Sequence, residues 1–486
     1  MKCPIMKKSD AKKVIFVEPR GNKDNVFSKV MTLPLMGPIY LATILKKRGH
    51  EVKVLNEHLL GRDVSLADLN ADVLCLSMLT STANRGYEIA RLFRSQNPQG
   101  KVIIGGIHAS MLPDDAAPFA DQVVIGEGEK VMVDIIEGKI TDKFVRTEHI
   151  EMDDYPIPDF RLLENNHRMN ITPVITSRGC PFDCTFCSVT QMFGKKYRTL
   201  SIDNVMKTLK QLRPKKVFFY DDNFAAIKSR TYELVKRIKR SNLDMKWSAQ
   251  VRTDVTNDPK LVERMADAGC YNVFVGFESI NPATLKRFNK AQGISQIKNA
   301  IKVFHDNSID IHGMFIFGSD DDDRRVFGRT AEFCNEEGID SAQYAILTPL
   351  PGTVVYNDFE KNNRLIHKAW NYYDGLHAVF KPRKMTALEL QEGMIDAFSD
   401  FYSYSRAIND AMNIFFEYNA NAIRSFYSKV NMPSFSRVGF RVVGKSILKS
   451  WKKQNQEYLD FLNNLDIKKR ALDCLNPVKK GTPQTT

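Results

Sequence analysis

The chain has 486 residues, of which 43% are hydrophobic and 26% charged, and its formal net charge is +13. That is enough apolar material for a large core in two to four domains. No apolar run reaches the roughly 18 residues needed to span a bilayer, and Met1-Lys2-Cys3-Pro4 opens no apolar signal segment, so a cytoplasmic protein is expected. The basic balance fits either an anionic partner (nucleic acid, a membrane or an acidic substrate) or solubility alone. Of the eight cysteines, Cys180, Cys184 and Cys187 crowd into eight residues, while Cys3, Cys75, Cys270, Cys334 and Cys474 are scattered. In a cytoplasmic chain such a group reads as metal-binding or catalytic, not as a disulfide framework.

In chain order, Val14 to Val17 is expected as a first strand and Gly37 to Lys47 as a helix. Glu51 to Leu55 and Asp72 to Ser77 follow as strands, with Tyr87 to Arg94 helical. Lys101 to Ile104 runs into Gly105-Gly106, and Gln122 to Ile125 into Gly126-Glu127-Gly128-Glu129. Strands alternating with helices predict a doubly wound parallel α/β sheet, with ligands at the carboxyl ends of its strands. That edge carries Ser77-Met78-Leu79 and Gly105-Gly106, where glycine permits close backbone approach. Over residues 10–140 the pattern resembles cobalamin-binding domains, which pair a Ser-x-Leu with a Gly-Gly at these two edges. The resemblance implies that Ser77, Leu79, Gly105 and Gly106 contact cobalamin. Many such domains place Asp-x-His-x-x-Gly after the first strand, and its histidine ligates cobalt. Here no histidine lies between Val17 and His50, so bound cobalamin is expected to lack a lower histidine ligand. His58, in the similar Asn56-Glu57-His58-Leu59-Leu60-Gly61, follows the wrong strand and is expected at the surface. His108 is expected as a solvated loop residue.

A linker over residues 141–168 is expected to lead into a strand at Asn170 to Thr176, then Ser177-Arg178-Gly179-Cys180-Pro181-Phe182-Asp183-Cys184-Thr185-Phe186-Cys187. Three thiolates at C-x3-C-x2-C can hold one cubic iron–sulfur cluster and leave one iron open. Structural zinc needs a fourth ligand, and none is near in the sequence. The segment resembles the radical S-adenosylmethionine superfamily. By that resemblance Cys180, Cys184 and Cys187 hold a [4Fe–4S] cluster and the open iron chelates the cofactor. One electron then cleaves the sulfonium to a 5′-deoxyadenosyl radical, with Phe186 against the adenine.

Further strands are expected at Lys216 to Tyr220, Lys246 to Val251, Tyr271 to Phe277, Ile311 to Phe317 and Ser341 to Leu347, separated by helices. With the strand before Cys180 these make six β/α units over residues 169–375, a partial barrel with its site at the strand C-termini. The same resemblance places Asp221, Asp222 and Asn223 at the cofactor amino group and Glu278 and Ser279 at its ribose or carboxylate. It also places Gln250 and Arg252 at the polar third-strand end, and Gly318 closes the segment beside the adenine. Asp320 to Asp323 are expected to be a solvated helix cap. Cys270 is expected in the core.

Residues 376–476 are expected to be helical and 477–486 disordered. Arg437, Arg441, Lys445, Lys449 and Lys453 recur every four residues, one basic stripe of a helix that would face water, an anionic membrane or an acidic partner.

The domain order resembles cobalamin-dependent radical S-adenosylmethionine proteins, a class that includes methylases of unactivated carbon and the anaerobic magnesium-protoporphyrin ester cyclase. It implies methyl transfer to a lipid-like or tetrapyrrole-like substrate and a one-electron donor such as flavodoxin or ferredoxin, and the basic stripe adds peripheral contact with the inner membrane face as an expectation. Three alternatives remain open at this point: a non-methylating cyclisation, coupling or rearrangement; an RNA-binding or RNA-modifying protein, although no RNA-binding module is found; and a redox-sensing cluster protein.

Overall fold

The protein is described by a computed structural model over residues 10–22, 32–412 and 436–475. The first sheet holds β1 (Lys13–Glu18), β2 (Glu51–Asn56), β3 (Val73–Ser77), β4 (Lys101–Gly105), β5 (Gln122–Ile125) and β6 (Phe144–Arg146). All are parallel, in the order β2-β1-β3-β4-β5-β6. The near-continuous apolar runs of β1 and β3 suit a sheet covered on both faces. One face takes the helix Met36–Arg48, which stops at Gly49, whose left-handed backbone lets its N–H reach Leu45 O and Lys46 O. The helix Ala83–Gln96 supplies Tyr87, Ile89, Ala90 and Phe93 to the other core. Strand order reverses between β1 and β3, which opens a crevice at their carboxyl ends. β6 lies in the stretch expected to be a linker. Its three residues alternate exposed, buried, exposed, too short a pattern to register in the sequence.

The second sheet holds β7 (Thr172–Val174), β10 (Lys216–Phe219), β11 (Lys246–Val251), β12 (Cys270–Glu278), β13 (Asp310–Phe317) and β14 (Ser341–Ile346), six parallel strands in chain order. Between β7 and β10 the chain inserts the cysteine loop and a small antiparallel pair, β8 (Ser177–Arg178) and β9 (Arg198–Thr199). This is the expected partial barrel, with Cys270 in its core. Tyr356, Trp370, Tyr373 and Val379, from the chain beyond β14, join the core of the first sheet, so the two sheets share a packed boundary.

The helix Ala387–Phe401, opened by a Thr386/Glu389 capping box, seals the barrel with Leu390, Met394, Phe398 and Phe401. The helices Ser436–Gln454 and Gln456–Leu475 follow. The expected tail 477–486 lies outside the described residues.

Three expectations about charged or polar residues are corrected. The basic stripe is not one free face. Arg437 pairs with Asp340 at 3.0 Å, and Arg441 is buried with its guanidinium 3.9 Å over the Phe401 ring and Nε 3.0 Å from Asp410. Asp320 and Asp322 are not solvated caps. Asp320 meets Arg364 at 2.6 Å, and buried Asp322 accepts from the Gly318 and Ser319 amides and the Thr284 hydroxyl. His58 is half-buried, and burial pushes its ring below the usual histidine range.

Candidate active site at the boundary of the two sheets

The approach to Cys180 is held by two adjacent carboxylates at the end of β10. Asp221, fully buried, accepts from the Thr176 amide at 2.6 Å, the Ser177 amide at 3.0 Å and the Thr176 hydroxyl at 2.5 Å. Asp222 accepts from the Gly179 amide at 3.2 Å. Its neighbour Asp221 faces into the structure, so of the two only Asp222 lines the cavity described below. Burial, and the charge of Asp221 beside it, push the Asp222 carboxyl up to about 6.

Cys180, Cys184 and Cys187 are half-buried free thiols in one loop, with the Cys187 amide donating to Cys184 O at 3.1 Å. Burial pushes the Cys187 thiol up to about 12 and raises Cys180 as well. Among the described residues no three His, Cys, Asp or Glu side chains converge tightly enough for a single ion. Three free thiols within eight residues of one loop have the chemistry of a cubane's ligands, each cysteine on a different iron. Arg252, at the end of β11, sits with Nη1 3.8 Å from Cys184 Sγ and its guanidinium 3.7 Å over the Phe182 ring.

A first cavity of about 340 Å³ opens at the carboxyl edge of the first sheet. Ser77, Leu79, Gly105 and Gly106, all expected there, line it together, and it reaches Arg178 and Asp222 across the boundary. Its deep end lies under the helix Met36–Arg48, between Phe16, Met36, Cys75, Ile103 and Met132. Gly106 has φ +91, and a Cβ there would lie 2.6 Å from Met78 O, so only glycine lets the Ser77–Leu79 turn close on β4. Gly105 differs: a Cβ would meet Val124 at 3.7 Å, an ordinary contact, so the protein's own packing does not require glycine there, and its bare backbone lies on the cavity wall. These walls fit a cobalamin.

His108 is corrected from a solvated to a buried residue. Its Nε2 lies 3.0 Å from Asp115 and 3.1 Å from the Tyr87 hydroxyl, and it does not line the cavity.

A buried ion cluster, which the sequence reading did not single out, binds this edge to the cysteine loop. Glu127 takes two bonds from Arg198, at 2.6 and 3.0 Å, and one from the Ile150 amide at 2.9 Å. Arg178, two residues before Cys180, stands 3.1 Å from both Glu127 and Glu129 and stacks on Tyr155 at 4.8 Å. The available signal was the repeated Gly-Glu after β5, a polar turn at the ligand edge of the sheet.

A second cavity of about 350 Å³ lies beside the first. Leu79 and Ile107 line both. Its other walls are Phe186 from the cysteine loop, Ile316 and Ala345 to Thr348 from the ends of β13 and β14, and Tyr373 to Gly375. Both volumes fall in the range of small-molecule sites.

The remaining expected residues divide. Glu278 sits at an irregularity in β12 with φ +63, held by Lys290 at 2.7 Å. A left-handed backbone at a non-glycine residue is strained and is held there by its surroundings. Asn223 is buried with its Nδ2 unpartnered, and Gln250 is half-buried. Ser279 turns inward and accepts from the Asn281 amide. Gly318 packs beneath Leu390 and Phe380, where a Cβ would clash, and lines neither cavity.

Two family models match the chain: the radical SAM superfamily over residues 174–334 and the B12 binding domain over residues 27–136. An uncharacterised methyltransferase of Pyrococcus horikoshii is 30% identical over 408 residues, 76% of this chain and 88% of the relative. The chain belongs to the cobalamin-dependent radical S-adenosylmethionine methyltransferases. The bacteriochlorophyllide d C-12(1)-methyltransferase of Chlorobaculum tepidum is also 30% identical, over 81% of this chain and 88% of its own. The solved structure of OxsB, a cobalamin-dependent S-adenosylmethionine radical enzyme, shares the fold with a TM-score of 0.67 at 15% identity, over 95% of this chain and 81% of that one. As a member of this family the protein is an enzyme, and its cofactors are a [4Fe–4S] cluster, S-adenosylmethionine and cobalamin. No helix among the described residues is long and apolar enough to cross a membrane.

Proposed function

We propose that this enzyme transfers a methyl group to an unactivated carbon of a small apolar substrate, lipid-like or tetrapyrrole-like, held in the second cavity. The observation that carries the reading is the shared wall: Leu79 and Ile107 separate a cavity at the cobalamin edge from one that reaches Phe186 in the cysteine loop. A molecule in the second cavity touches both sides at once. When bound, the three cofactors supply an electron, a hydrogen-abstracting radical and a methyl group; the protein positions them and keeps water out.

In this reading Cys180, Cys184 and Cys187 ligate the cluster and Phe186 lies against the adenine. Asp222, not Asp221, receives the cofactor amino group, because Asp221 is fully engaged with Thr176 and Ser177. Arg252 places positive charge beside Cys184, and Glu278 faces the cofactor from the end of β12. Ser77, Leu79, Gly105 and Gly106 form the cobalamin edge. A substrate of the kind named for the Chlorobaculum tepidum relative, a tetrapyrrole, or a lipid of similar apolarity suits walls that are mostly hydrocarbon. Exposed Lys449, Lys452 and Lys453, on the helix that also exposes Val442 and Val443, support peripheral contact with an anionic membrane from which such a substrate is drawn. The electron comes from a one-electron donor such as flavodoxin or ferredoxin.

The test is anaerobic reconstitution followed by metal analysis and incubation with methyl-labelled S-adenosylmethionine and a panel of tetrapyrroles and terpenoid alcohols. The expected result is about four irons and about one cobalt per chain, with label in a product. Cys184→Ala should lose iron and keep cobalt. Protein that loads iron but no cobalt, or that cleaves the cofactor without ever passing label to a product, refutes methyl transfer.

A further inference from the structure

We infer that Arg252 sets the reduction potential of the iron–sulfur cluster: acting through Cys184, its guanidinium raises that potential and eases entry of the single electron that starts the reaction. The inference rests on the assignment of the cluster to Cys180, Cys184 and Cys187, and not on the methyl-transfer reading.

Arg252 follows the last residue of β11 and is buried. Its Nη1 stands 3.8 Å from Cys184 Sγ, within hydrogen-bond reach of a large, polarisable sulfur. The guanidinium is held in that direction, because it lies 3.7 Å over the ring of Phe182, which belongs to the same loop. What sets Arg252 apart is how weakly any carboxylate meets it. Other buried cations near this loop are matched: Arg178 stands 3.1 Å from both Glu127 and Glu129, and Lys290 stands 2.7 Å from Glu278. Among the described residues Arg252 pairs only with Asp254, whose side chain is 44% exposed and whose Oδ1 lies 3.6 Å from Nε, too far for a good hydrogen bond. Nε itself is buried and has no hydrogen-bond partner. A buried guanidinium without a close anion is costly, and its burial is accounted for once negative charge gathers on the thiol side.

Three thiolates make the loaded site anionic, and the electron brought by the donor makes it more so. The step moves one electron from donor to cluster and makes or breaks no bond. A fixed positive charge a few ångström away stabilises the reduced state more than the oxidised one. A hydrogen bond to a ligand sulfur acts in the same direction. Burial keeps salt and water from screening the charge. Arginine stays protonated in proteins, so the contribution is the same at every working pH.

The test is a potentiometric titration of the reconstituted enzyme without S-adenosylmethionine, read by the electron paramagnetic resonance of the reduced cluster. Arg252→Gln is expected to make reduction about tenfold less favourable, which for one electron is a potential about 59 mV more negative, at unchanged iron content. Arg252→Lys, which keeps the charge and loses the planar stack, should recover part of that shift. An unchanged or more positive potential in Arg252→Gln, or a lysine variant that recovers nothing, overturns the inference. So does a shift that is seen only after S-adenosylmethionine is added, which would make Arg252 a contact of that cofactor alone. If Arg252→Gln loads no iron, wild type grown with nitrogen-15 arginine decides: coupling of that nitrogen to the reduced cluster is expected, and its absence overturns the inference. An enzyme that loads iron but never passes methyl label to a product refutes methyl transfer and leaves this potential measurable.

Discussion

Replacing Glu127 by glutamine removes one charge from the centre of the boundary between the two sheets and leaves the volume unchanged. Glu127 is 1% exposed and accepts four contacts, from Arg198 twice, Arg178 and the Ile150 amide. In the amide, one oxygen keeps Ile150 and one Arg198 nitrogen. The new N–H₂ then faces Arg198 Nη2 and Arg178 Nη1, donor against donor. Arg178 would keep Glu129 and Tyr155 and Arg198 the Ile150 carbonyl, but both would lose the charge that joins them, and breaking a buried pair in this way costs about 3–5 kcal/mol. In a cooperative unit of 150–250 residues that lowers the melting temperature by roughly 6–20 °C. Scanning calorimetry on the reconstituted enzyme at pH 7 reads the loss.

The pH dependence supplies an independent check on that cost. Burial alone would raise the Glu127 carboxyl, but Arg198, Arg178 and the Ile150 amide outweigh it and hold the group below the usual glutamate range. A depressed carboxylate contributes stability that is full above its unfolded value and is lost as pH falls through the folded value. The gap between wild type and Glu127→Gln should therefore be constant from neutral pH down to about 5 and close at lower pH. A gap below about 1 kcal/mol at pH 7, which is the range of exposed pairs, or one that persists unchanged in acid, would refute the claim that this cluster joins the two sheets.

Gly106→Ala is expected to cost about 1–3 kcal/mol, because φ +91 disfavours a side chain and the new Cβ meets Met78 O at 2.6 Å. Cobalt retention should fall while iron, bound on the other sheet, is unaffected; full cobalt with an unchanged melting temperature would count against the turn. His312 is held down to about 4 by burial in the barrel. Its neutral form is favoured in the folded state, so the stability this contributes is full above about pH 6.5 and is lost as pH falls toward 4, in total about 3 kcal/mol. Urea unfolding of wild type and His312→Gln across that interval should diverge, and parallel profiles would refute the assignment.

The legible part of the molecule was the part written in short-range pattern. The buried strands announce themselves as apolar runs, and the cysteine loop by spacing alone. What escaped depended on partners far along the chain. Glu127 and Arg198 are 71 residues apart, so a glutamate in a Gly-Glu-Gly-Glu turn reads as solvated until the arginine arrives. Asp320, Asp322, His108 and Arg441 failed as expectations because polar residues default to water, and each is buried here by partners that only the folded chain brings to it, Asp320 by Arg364 and His108 by Asp115 and Tyr87 among them. Asp221 and Asp222 show a finer limit. They lie in the turn after β10, where no strand alternation fixes direction, and the sequence could name the pair without saying which one turns to the cavity.

Once the distant partners are known, the degree to which each buried carboxylate is satisfied separates structure from chemistry. Glu127 is met by Arg198 and Arg178, Asp320 by Arg364 and Arg383, Asp221 by Thr176 and Ser177, and Asp322 by the Gly318 and Ser319 amides of its own loop and the Thr284 hydroxyl. None of these four needs a ligand to account for its burial. Asp222 is different: it takes a single bond from the Gly179 amide and lines the first cavity next to the cysteine loop. Hydrocarbon packing can close a wall, but it cannot supply a donor to a carboxylate, so on the proposed reading the cofactor's ammonium completes Asp222, whose neighbour Asp221 adds negative charge.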